Sequence, residues 1–417
     1  MRPKQPRRAV ITGISTITAV GIGKNALWNA VLKGLSGIAP LTRFDTANVH
    51  AKQAGEINDW NPRDFLPAHR LKRLDRHTQF ALVSAQLALE DASFPWNPRR
   101  PQDHVGVSFG TALGGICDAE SAHAAFLSGG PKAIPHTLAL TIFGGAAHTN
   151  IAMDFGFRGP GTTNSNSCAS GLVALGDALR FIRDGMAEVV ITGGSEAPLC
   201  PLTFTAFDLI KTMSRWQGDP PAHACRPFDA LRDGFVMGEG AACLVVEELE
   251  HAQRRGAPIY AEVLGFALNN EAYHMTSPEP SGDCVVRCMR DALEDSNLAP
   301  SQIDYINCHA SSTQVNDSNE TRAIKTVFGS NAPAISGTKP ITAHPLGATS
   351  AIESVLCVMA LQHQTLPPTL HYQHSDPGCD LDIVPNQARP ARIHHVLNNA
   401  FGFGGINACV ALGRFKP

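Results

Sequence analysis

Short runs of apolar residues alternate with amphipathic stretches along the whole chain. Apolar runs over 9–14, 105–109, 188–194 and 241–246 are bounded by glycine or polar residues and are typical of buried strands. Stretches with apolar residues at helical spacing separate them, of which 80–91 is an example. Strand, helix and strand in this rhythm predict an α/β fold with a parallel sheet.

The same pattern begins a second time in the C-terminal part of the chain. After a charged helical stretch, a strand at 259–266, a helix at 284–295 and a strand at 303–308 follow. This predicts two successive α/β halves, 1–250 and 251–417, related by internal duplication, although no residue-level repeat is visible. A chain of 417 residues with 43% apolar content can bury a core of that size.

The most informative stretch is 161–185, where a polar loop leads into an amphipathic helix with Cys168 at the junction. Unpaired amides and the dipole at a helix N-terminus favour a thiolate, so we expect a lowered pKa for Cys168, as a nucleophile requires. The small residues 169–171 would let a substrate approach closely. A buried structural cysteine is the alternative, and this pattern alone leaves the two interpretations balanced.

Two of the 17 histidines occupy positions that suit catalysis. His309 directly follows the predicted strand 303–308, and His344 lies between a strand-like segment and a helix. Ligand chemistry in α/β folds is usual at the C-terminal ends of strands, so both histidines are candidate partners for the cysteine. Core or capping roles are the alternative for each.

Composition and charge exclude several classes of function. A net charge of −3 gives no reason to expect nucleic acid as a partner, and no apolar stretch reaches the length of a membrane span. The basic stretch 1–8 precedes no apolar run of signal length and the 11 cysteines form no CxxC pair, so we expect a cytoplasmic protein with free thiols. Cys284 and Cys288 lack the further ligands of a zinc site, so no metal is expected. The glycine-rich segments 21–25 and 402–405 match neither a phosphate loop nor a dinucleotide fingerprint.

A basic run, PAHRLKRLDR, lies at 67–76. Such a run most often forms a solvated helix face. The alternative is a patch that docks an acidic partner, which charge would steer into place.

Four separated motifs resemble those of one known family. They are SCASG around Cys168, NCHASST around His309, GTKPITAHPLG around Lys339 and His344, and FGFGG at 401–405. In this order, and over almost the whole chain, they are similar to the β-ketoacyl-acyl carrier protein synthases, the decarboxylating condensing enzymes of fatty acid and polyketide synthesis. The resemblance implies an acyltransferase with a thiolase-like fold, in which two duplicated α/β halves form a five-layered αβαβα core and the chain works as a dimer.

The resemblance also implies roles for the central residues. Cys168 takes the acyl chain as a thioester, because a thiolate is the best nucleophile for that exchange. His309 and His344 donate hydrogen bonds to the malonyl thioester oxygen while carbon dioxide leaves. The amides of Cys168 and Phe403 form a second oxyanion hole, over the acyl thioester under attack.

Further residues take supporting roles in this resemblance. Lys339 and Glu353 pair beneath the histidines, where the ammonium helps to set imidazole protonation. Phe403 is a gate whose motion the flanking Gly402 and Gly404 permit. The remaining assignments are Ser311 and Thr313 for the malonyl carboxylate or pantetheine, Asp317 and Glu320 for bracing the loop, and Leu113 and Phe401 for the acyl pocket. Core packing is the alternative for Phe403 and for the pocket wall.

The expected partners also follow from the resemblance. No cofactor is expected, since the substrates are carried on the phosphopantetheine of an acyl carrier protein. Arg70, Lys72, Arg73 and Arg215 are the candidates for docking that acidic carrier. Three functions stay open, namely an elongating homodimer, the catalytic subunit of a type II polyketide heterodimer with a chain-length factor, and a non-catalytic partner subunit. The cysteine together with both histidines argues against the third.

Several residues depart from the family pattern. Ala310 stands where glycine is usual after the first histidine, and Glu271 where aspartate is common. Pro345 stands where a larger residue often follows the second histidine, and Ile406 where threonine is common. Cys409 is expected to be buried packing, and not the second catalytic cysteine of a degradative thiolase. None of these changes removes a catalytic group, so acyl chain length, starter and pathway stay open.

Overall fold

The computed structural model describes residues 7–416, so most of the basic stretch 1–8 lies outside the described residues. Eleven strands form one mixed sheet, accompanied by two small two-stranded sheets. The strands are β1 (Ala9–Thr18), β2 (Gly21–Ile22), β3 (Ala39–Pro40), β4 (Gln53–Ala54), β5 (Val105–Gly110), β6 (Gly161–Asn164), β7 (Val189–Glu196), β8 (Gly240–Glu248), β9 (Ala261–Asn270), β10 (Tyr305–Asn307), β11 (Ala334–Ser336), β12 (Thr365–Leu366), β13 (Arg389–Pro390), β14 (His395–Gly402) and β15 (Ile406–Gly413).

Helices connect most of these strands. Within residues 7–416, no helix combines the length and the apolarity needed to cross a bilayer. The α-helices are α1 (Lys24–Lys33), α2 (Ala68–Leu71), α3 (Arg76–Asp91), α4 (Ile116–Gly129), α5 (Leu138–Thr141), α6 (Ala146–Phe155), α7 (Ser170–Arg183), α8 (Pro201–Leu209), α9 (Leu249–Arg254), α10 (Asp283–Asp295), α11 (Gln314–Phe328), α12 (Lys339–Thr342) and α13 (Leu346–His363).

The large sheet consists of two halves with the same strand order. Its order is β11-β10-β14-β15-β9-β1-β8-β7-β5-β6, and residues 9–11 of β1 pair with 261–263 of β9 to join the halves. Outward from this joint, each half has two antiparallel pairings followed by two parallel pairings. The strands β1, β8, β7, β5 and β6 therefore correspond to β9, β15, β14, β10 and β11, which is the duplication that the repeated pattern predicted.

The helices lie between and outside the two half-sheets. The middle layer is formed by α7 and α13, whose apolar side chains share one core with the inner faces of both half-sheets. Helices α3 and α6 pack on the outer face of the first half-sheet, and α10 and α11 on that of the second. This arrangement gives the five αβαβα layers that the family resemblance implied.

The two central helices cross at very short distance. Every residue of α13 from Leu346 to Leu361 is buried, which is typical of a helix covered on all sides. At the crossing, a Cβ placed on Gly171 of α7 would lie only 2.7 Å from the Cβ of Ala351 in α13. Only glycine therefore lets the helix that follows Cys168 approach α13 this closely.

One expectation about the sheet is corrected by the structure. The sheet is mixed, and only β5, β6 and β7 of the first half run parallel, as the strand-helix-strand rhythm predicted there. Along the chain, the last strand of that half is β8, which is antiparallel to both of its neighbours, β1 and β7. It begins at the end of the sheet where β7 finishes, so the two strands run in opposite directions. The predicted boundary between residues 250 and 251 lies within the segment 249–260, which separates the half-sheets.

We expect Gly171→Ala to lower the free energy of unfolding by about 1–3 kcal/mol, because overpacking at a close helix crossing forces the backbones apart. Gly144→Ala is the matched control, since a Cβ at Gly144 meets no atom within 4 Å. Thermal unfolding of both variants measures the difference. Equal transition temperatures would contradict the close crossing.

Candidate active site

Cys168 lies where a short turn becomes helix α7. The residues Ser167–Ala169 form a 3-10 turn, and α7 begins at Ser170. Ser167 has a φ of 53°, in the left-handed region that residues other than glycine rarely adopt. This conformation bends the chain just before the cysteine. Cys168 is 8% exposed. The structure thus places this thiol at a helix N-terminus, as the sequence pattern indicated.

His344 approaches the cysteine from the other half of the molecule. Its Nε2 lies 3.0 Å from the Sγ of Cys168, and its Nδ1 lies 2.7 Å from the hydroxyl of Thr349. The backbone amide of His344 donates to the carbonyl of Val236 at 2.8 Å, which fixes the loop before α13. Because Thr349 holds Nδ1, Nε2 is left to exchange a proton with the thiol.

His309 follows β10 and completes the group. Its ring centroid lies 5.6 Å from that of His344 and 5.8 Å from that of Phe401. The backbone amides of His309 and Ala310 donate hydrogen bonds to Glu320 at 2.9 and 2.8 Å. Ala310 has a φ of 41°, a conformation in which glycine is unstrained. Glycine suits position 310 for this reason. The buried carboxylate of Glu320 holds the turn in place.

A buried ion pair lies beneath the histidines. The ammonium of Lys339 lies 2.7 Å from the carboxylate of Glu353, and both residues are buried. The same ammonium donates to the carbonyl of His309 and lies 3.5 Å from its Nδ1. Burial raises the pKa of Glu353 to about 7, while the charge of Lys339 acts in the opposite direction.

Burial sets the protonation of the central group. It lowers the pKa of His309 and of His344 well below 6.5, and the nearby charge of Lys339 lowers both further, so the imidazoles are neutral. It also raises the pKa of Cys168 to about 11. The expectation of a lowered thiol pKa is therefore wrong, because taking the thiolate out of water outweighs the hydrogen bond from Ser167 and the charge of Lys339, both of which lower the pKa.

The thiol and both imidazoles line one cavity of about 760 Å³. The predicted residues that line it with them are Leu113, Ser311, Thr313, Phe401, Gly402 and Phe403. Phe403 stacks on Phe207 with the ring centroids 6.1 Å apart. A Cβ on Gly402 would lie 3.3 Å from the amide nitrogen of Cys168, so the end of β14 passes close to that amide.

The loop that follows β10 is held by its own polar side chains. The fully buried Asp317 accepts a hydrogen bond from the amide of Ser312 at 3.2 Å. Thr313 caps α11, and its hydroxyl lies 2.9 Å from that of Ser311. Gly404, which follows Phe403, has a φ of 85°. The structure therefore places the two hydroxyls in the cavity and the carboxylate behind its wall.

The predicted docking residues have unequal surroundings. Arg70 lies 2.6 Å from the carboxylate of Asp154, and this ion pair ties α2 to α6. Its charge is matched within the chain, and its assignment to docking stays a prediction. Lys72, Arg73 and Arg215 are exposed and remain docking candidates.

Several residues of the site were not predicted from the sequence. Thr349 orients His344, and Ser350 donates a hydrogen bond to the carbonyl of Cys168 at 3.0 Å. These hydroxyls lie within the first two turns of α13, so their nearness to His344 in the sequence was an available signal. Phe207 and Lys211 line the cavity but belong to a segment without a motif, and only the tertiary fold brings them there.

The central group also has the composition of a metal site. The Sγ of Cys168 and one nitrogen each of His309 and His344 lie within 4.8 Å of one another. Thiolate and imidazole are ligands that Zn²⁺ prefers. The expectation of no metal considered only local spacing, whereas these three residues come from separate loops. A second and more exposed group within residues 7–416 consists of His104, Glu188 and His251.

Two family models match the sequence. They are Beta-ketoacyl synthase, N-terminal domain, over residues 7–252, and Beta-ketoacyl synthase, C-terminal domain, over 260–373. The chain is 40% identical to the 3-oxoacyl-[acyl-carrier-protein] synthase 2 of Coxiella burnetii, over 98% of this chain and 99% of that protein. It is also 40% identical to the protein of the same name from Synechocystis sp., over 99% of both chains.

Solved structures share the fold over nearly the whole chain. One shows AntDE:AntF, a type II PKS acyl-carrier protein in complex with its ketosynthase bound to the hexaketide, with a TM-score of 0.92, 35% identity and coverage of 99% of this chain and 100% of that one. Another is the ishigamide ketosynthase/chain length factor, with a TM-score of 0.92, 34% identity and the same coverage. The thiolase-like fold expected from the motifs is confirmed.

We expect the rate at which iodoacetamide alkylates Cys168 to keep rising with pH up to about 11, because burial raises the pKa of this thiol and only the thiolate reacts. In the urea-unfolded chain, where burial is lost, the rate should level off near 9.0. Timed intact-protein mass spectrometry measures both, with Cys168→Ala as the control for the other cysteines. A native profile that levels off below 9.0 would show that the thiol pKa is lowered after all.

Proposed function

The chain belongs to the β-ketoacyl synthase family, and we propose that it condenses an acyl chain held on Cys168 with a malonyl group presented by an acyl carrier protein. Its class is acyltransferase. The observation that carries the residue roles is the 3.0 Å contact between the Sγ of Cys168 and the Nε2 of His344. This contact lies in a cavity that His309 also lines, so nucleophile, base and hydrogen-bond donors face one space.

Acyl transfer begins with removal of the thiol proton. The Nε2 of His344 takes this proton, and the thiolate of Cys168 attacks the thioester carbonyl of the acylated carrier. The bond between the carbonyl carbon and the pantetheine sulfur breaks, and the departing pantetheine thiolate takes the proton from His344. Because the pKa of Cys168 is raised to about 11, the neighbouring base is needed at neutral pH.

Decarboxylation uses the same two imidazoles as donors. A neutral imidazole carries one N–H, so His344 presents an Nε2–H only in the tautomer in which the hydroxyl of Thr349 donates to its Nδ1. With His344 in that tautomer, His309 and His344 can each present an N–H to the thioester oxygen of the malonyl group. The bond to the carboxylate breaks, carbon dioxide leaves, and the electron pair remains as an enolate whose oxygen accepts these hydrogen bonds. Each such donor typically contributes about 2.7–4 kcal/mol in the transition state. The enolate carbon then attacks the acyl thioester and expels the thiolate of Cys168.

The second oxyanion is assigned to backbone amides. The oxygen of the acyl thioester becomes negative when the enolate attacks, and the amides of Cys168 and Phe403 are the proposed donors. Gly402 lies close to the amide of Cys168, and this supports the assignment. A side chain at position 402 would obstruct the thioester carbonyl that this amide is proposed to bind.

An open sheet edge supports a dimer. Strand β6 is the last strand of the first half-sheet. Phe143, which is 47% exposed, shares a concave surface with Thr163 of β6, and Met153 of the neighbouring α6 is 62% exposed. An open edge with apolar neighbours favours pairing with a second chain. We infer a dimer through this edge, formed with a second copy or with a chain-length-factor homologue.

The cysteines support a reducing compartment. All 11 are free thiols. Unpaired thiols persist where glutathione and thioredoxin keep them reduced, so we infer a cytoplasmic location.

Sequential incubation with acylated carrier proteins and then with malonyl carrier protein is expected to give an acyl adduct on Cys168, followed by release of the extended chain. Intact-protein mass spectrometry measures the adduct, and Cys168→Ala is expected to form none. His309→Ala and His344→Ala should each lower malonyl decarboxylation by about a hundred- to thousandfold, since each removes one oxyanion donor. Thermal unfolding of each variant controls for loss of structure.

The same experiment separates the open functions. An adduct formed by the chain alone would identify a self-sufficient synthase and show its chain-length preference. An adduct or soluble expression only with a co-expressed homologue would identify the catalytic subunit of a heterodimer. No adduct under either condition would contradict the catalytic assignment.

The double charge reversal Lys72→Glu and Arg73→Glu is expected to raise the apparent KM for the acyl carrier about tenfold at low ionic strength, because steering by the exposed cations is lost. The charge reversal Arg99→Glu and Arg100→Glu is the matched control, since these exposed cations precede β5 and do not line the cavity. Reaction of Cys168 with iodoacetamide should not change in either variant. Unchanged carrier kinetics would refute docking at this patch.

A further inference from the structure

Glu196 ends β7 and is completely buried. Its Oε2 accepts hydrogen bonds from the backbone amides of Ala112 at 2.6 Å and Gly347 at 3.1 Å. Its Oε1 accepts hydrogen bonds from the amide of Leu113 and the hydroxyl of Thr111, both at 3.2 Å. Each carboxylate oxygen is therefore satisfied by two donors, and all four donors are neutral.

These donors come from two different parts of the site. Ala112 and Leu113 line the cavity, and Leu113 is the expected wall of the acyl pocket. Gly347 belongs to the first turn of α13, directly after the loop of His344. A Cβ on Gly347 would lie 2.4 Å from the amide nitrogen of Ala112, so the pocket wall and the helix are in backbone contact. One carboxylate thus joins the two.

The second half of the molecule uses the same device. There Glu320 is buried and accepts hydrogen bonds from the consecutive amides of His309 and Ala310, in the loop after β10. In the first half, Glu196 binds two consecutive amides in the loop after β5, which is the counterpart of β10. A buried carboxylate that holds two consecutive amides leaves its loop little freedom to shift.

We propose that Glu196 is a positioning residue that fixes the acyl-pocket wall at Leu113 relative to the helix of His344 and thereby sets which acyl chains Cys168 accepts. The inference rests on the proposed function. Only a carboxylate suits position 196, because both of its oxygens face hydrogen-bond donors. A glutamine of the same size would turn its NH₂ group towards two of them.

The test compares acylation of Cys168 with acetyl carrier protein and with the longest acyl carrier that modifies the unaltered chain. We expect Glu196→Gln to lower the long-chain rate relative to the acetyl rate at least about tenfold, since a shift of about 1 Å in a positioned group can cost about 10²-fold. Thr111→Val removes one donor with little change of shape and should move the ratio in the same direction by less.

Glu247→Gln is the matched control, because Glu247 is also completely buried and accepts hydrogen bonds from Arg255 and His251. It should leave the ratio of long-chain to acetyl rates unchanged. Equal losses at all chain lengths in Glu196→Gln, or an unchanged ratio in both Glu196→Gln and Thr111→Val, would overturn the inference. Failure of the unaltered chain to become acylated at all would refute the proposed function instead.

Discussion

The site depends on the close crossing of α7 and α13 between the two half-sheets. Gly171 and Ala351 meet at this crossing, and their small size lets the first turns of both helices converge. Cys168 precedes one helix and His344 the other, so the 3.0 Å contact between thiol and imidazole is a consequence of helix packing. Each half contributes one part of the reacting pair, and neither half alone contains a complete site.

Burial explains the electrostatics of the site. The residues around the reacting atoms are largely removed from water, and the Lys339 ammonium lies beneath them, paired with Glu353. In this setting the thiol and both imidazoles are held in their neutral forms, because each charged form would lose its hydration. Charge appears only during reaction, where fixed donors stabilise it more strongly than they would in water.

The sequence predicts those parts of the site that local pattern determines. A cysteine at a helix start and histidines after strand-like segments are visible in short windows, as is the repetition of the α/β pattern. The direction of the last strand in each half, the raised pKa of Cys168 and the pairing of Arg70 with Asp154 depend on distant segments, so no short window contains them. The role of Glu196 was hidden for the same reason, since its donors lie far away in the chain.

Three residues around the site hold backbone conformations that favour glycine. Ser167, Ala310 and Ala343 adopt φ values of 53°, 41° and 59°, although none is glycine, and such strain persists where function requires a fixed geometry. Ala310 stands where the family usually has glycine, and the neighbouring Gly337 compensates for the added methyl group. A Cβ on Gly337 would lie 2.6 Å from the Cβ of Ala310. The absent side chain of Gly337 makes room for the added methyl group. The departure therefore changes the packing beneath His309 and leaves its chemistry intact.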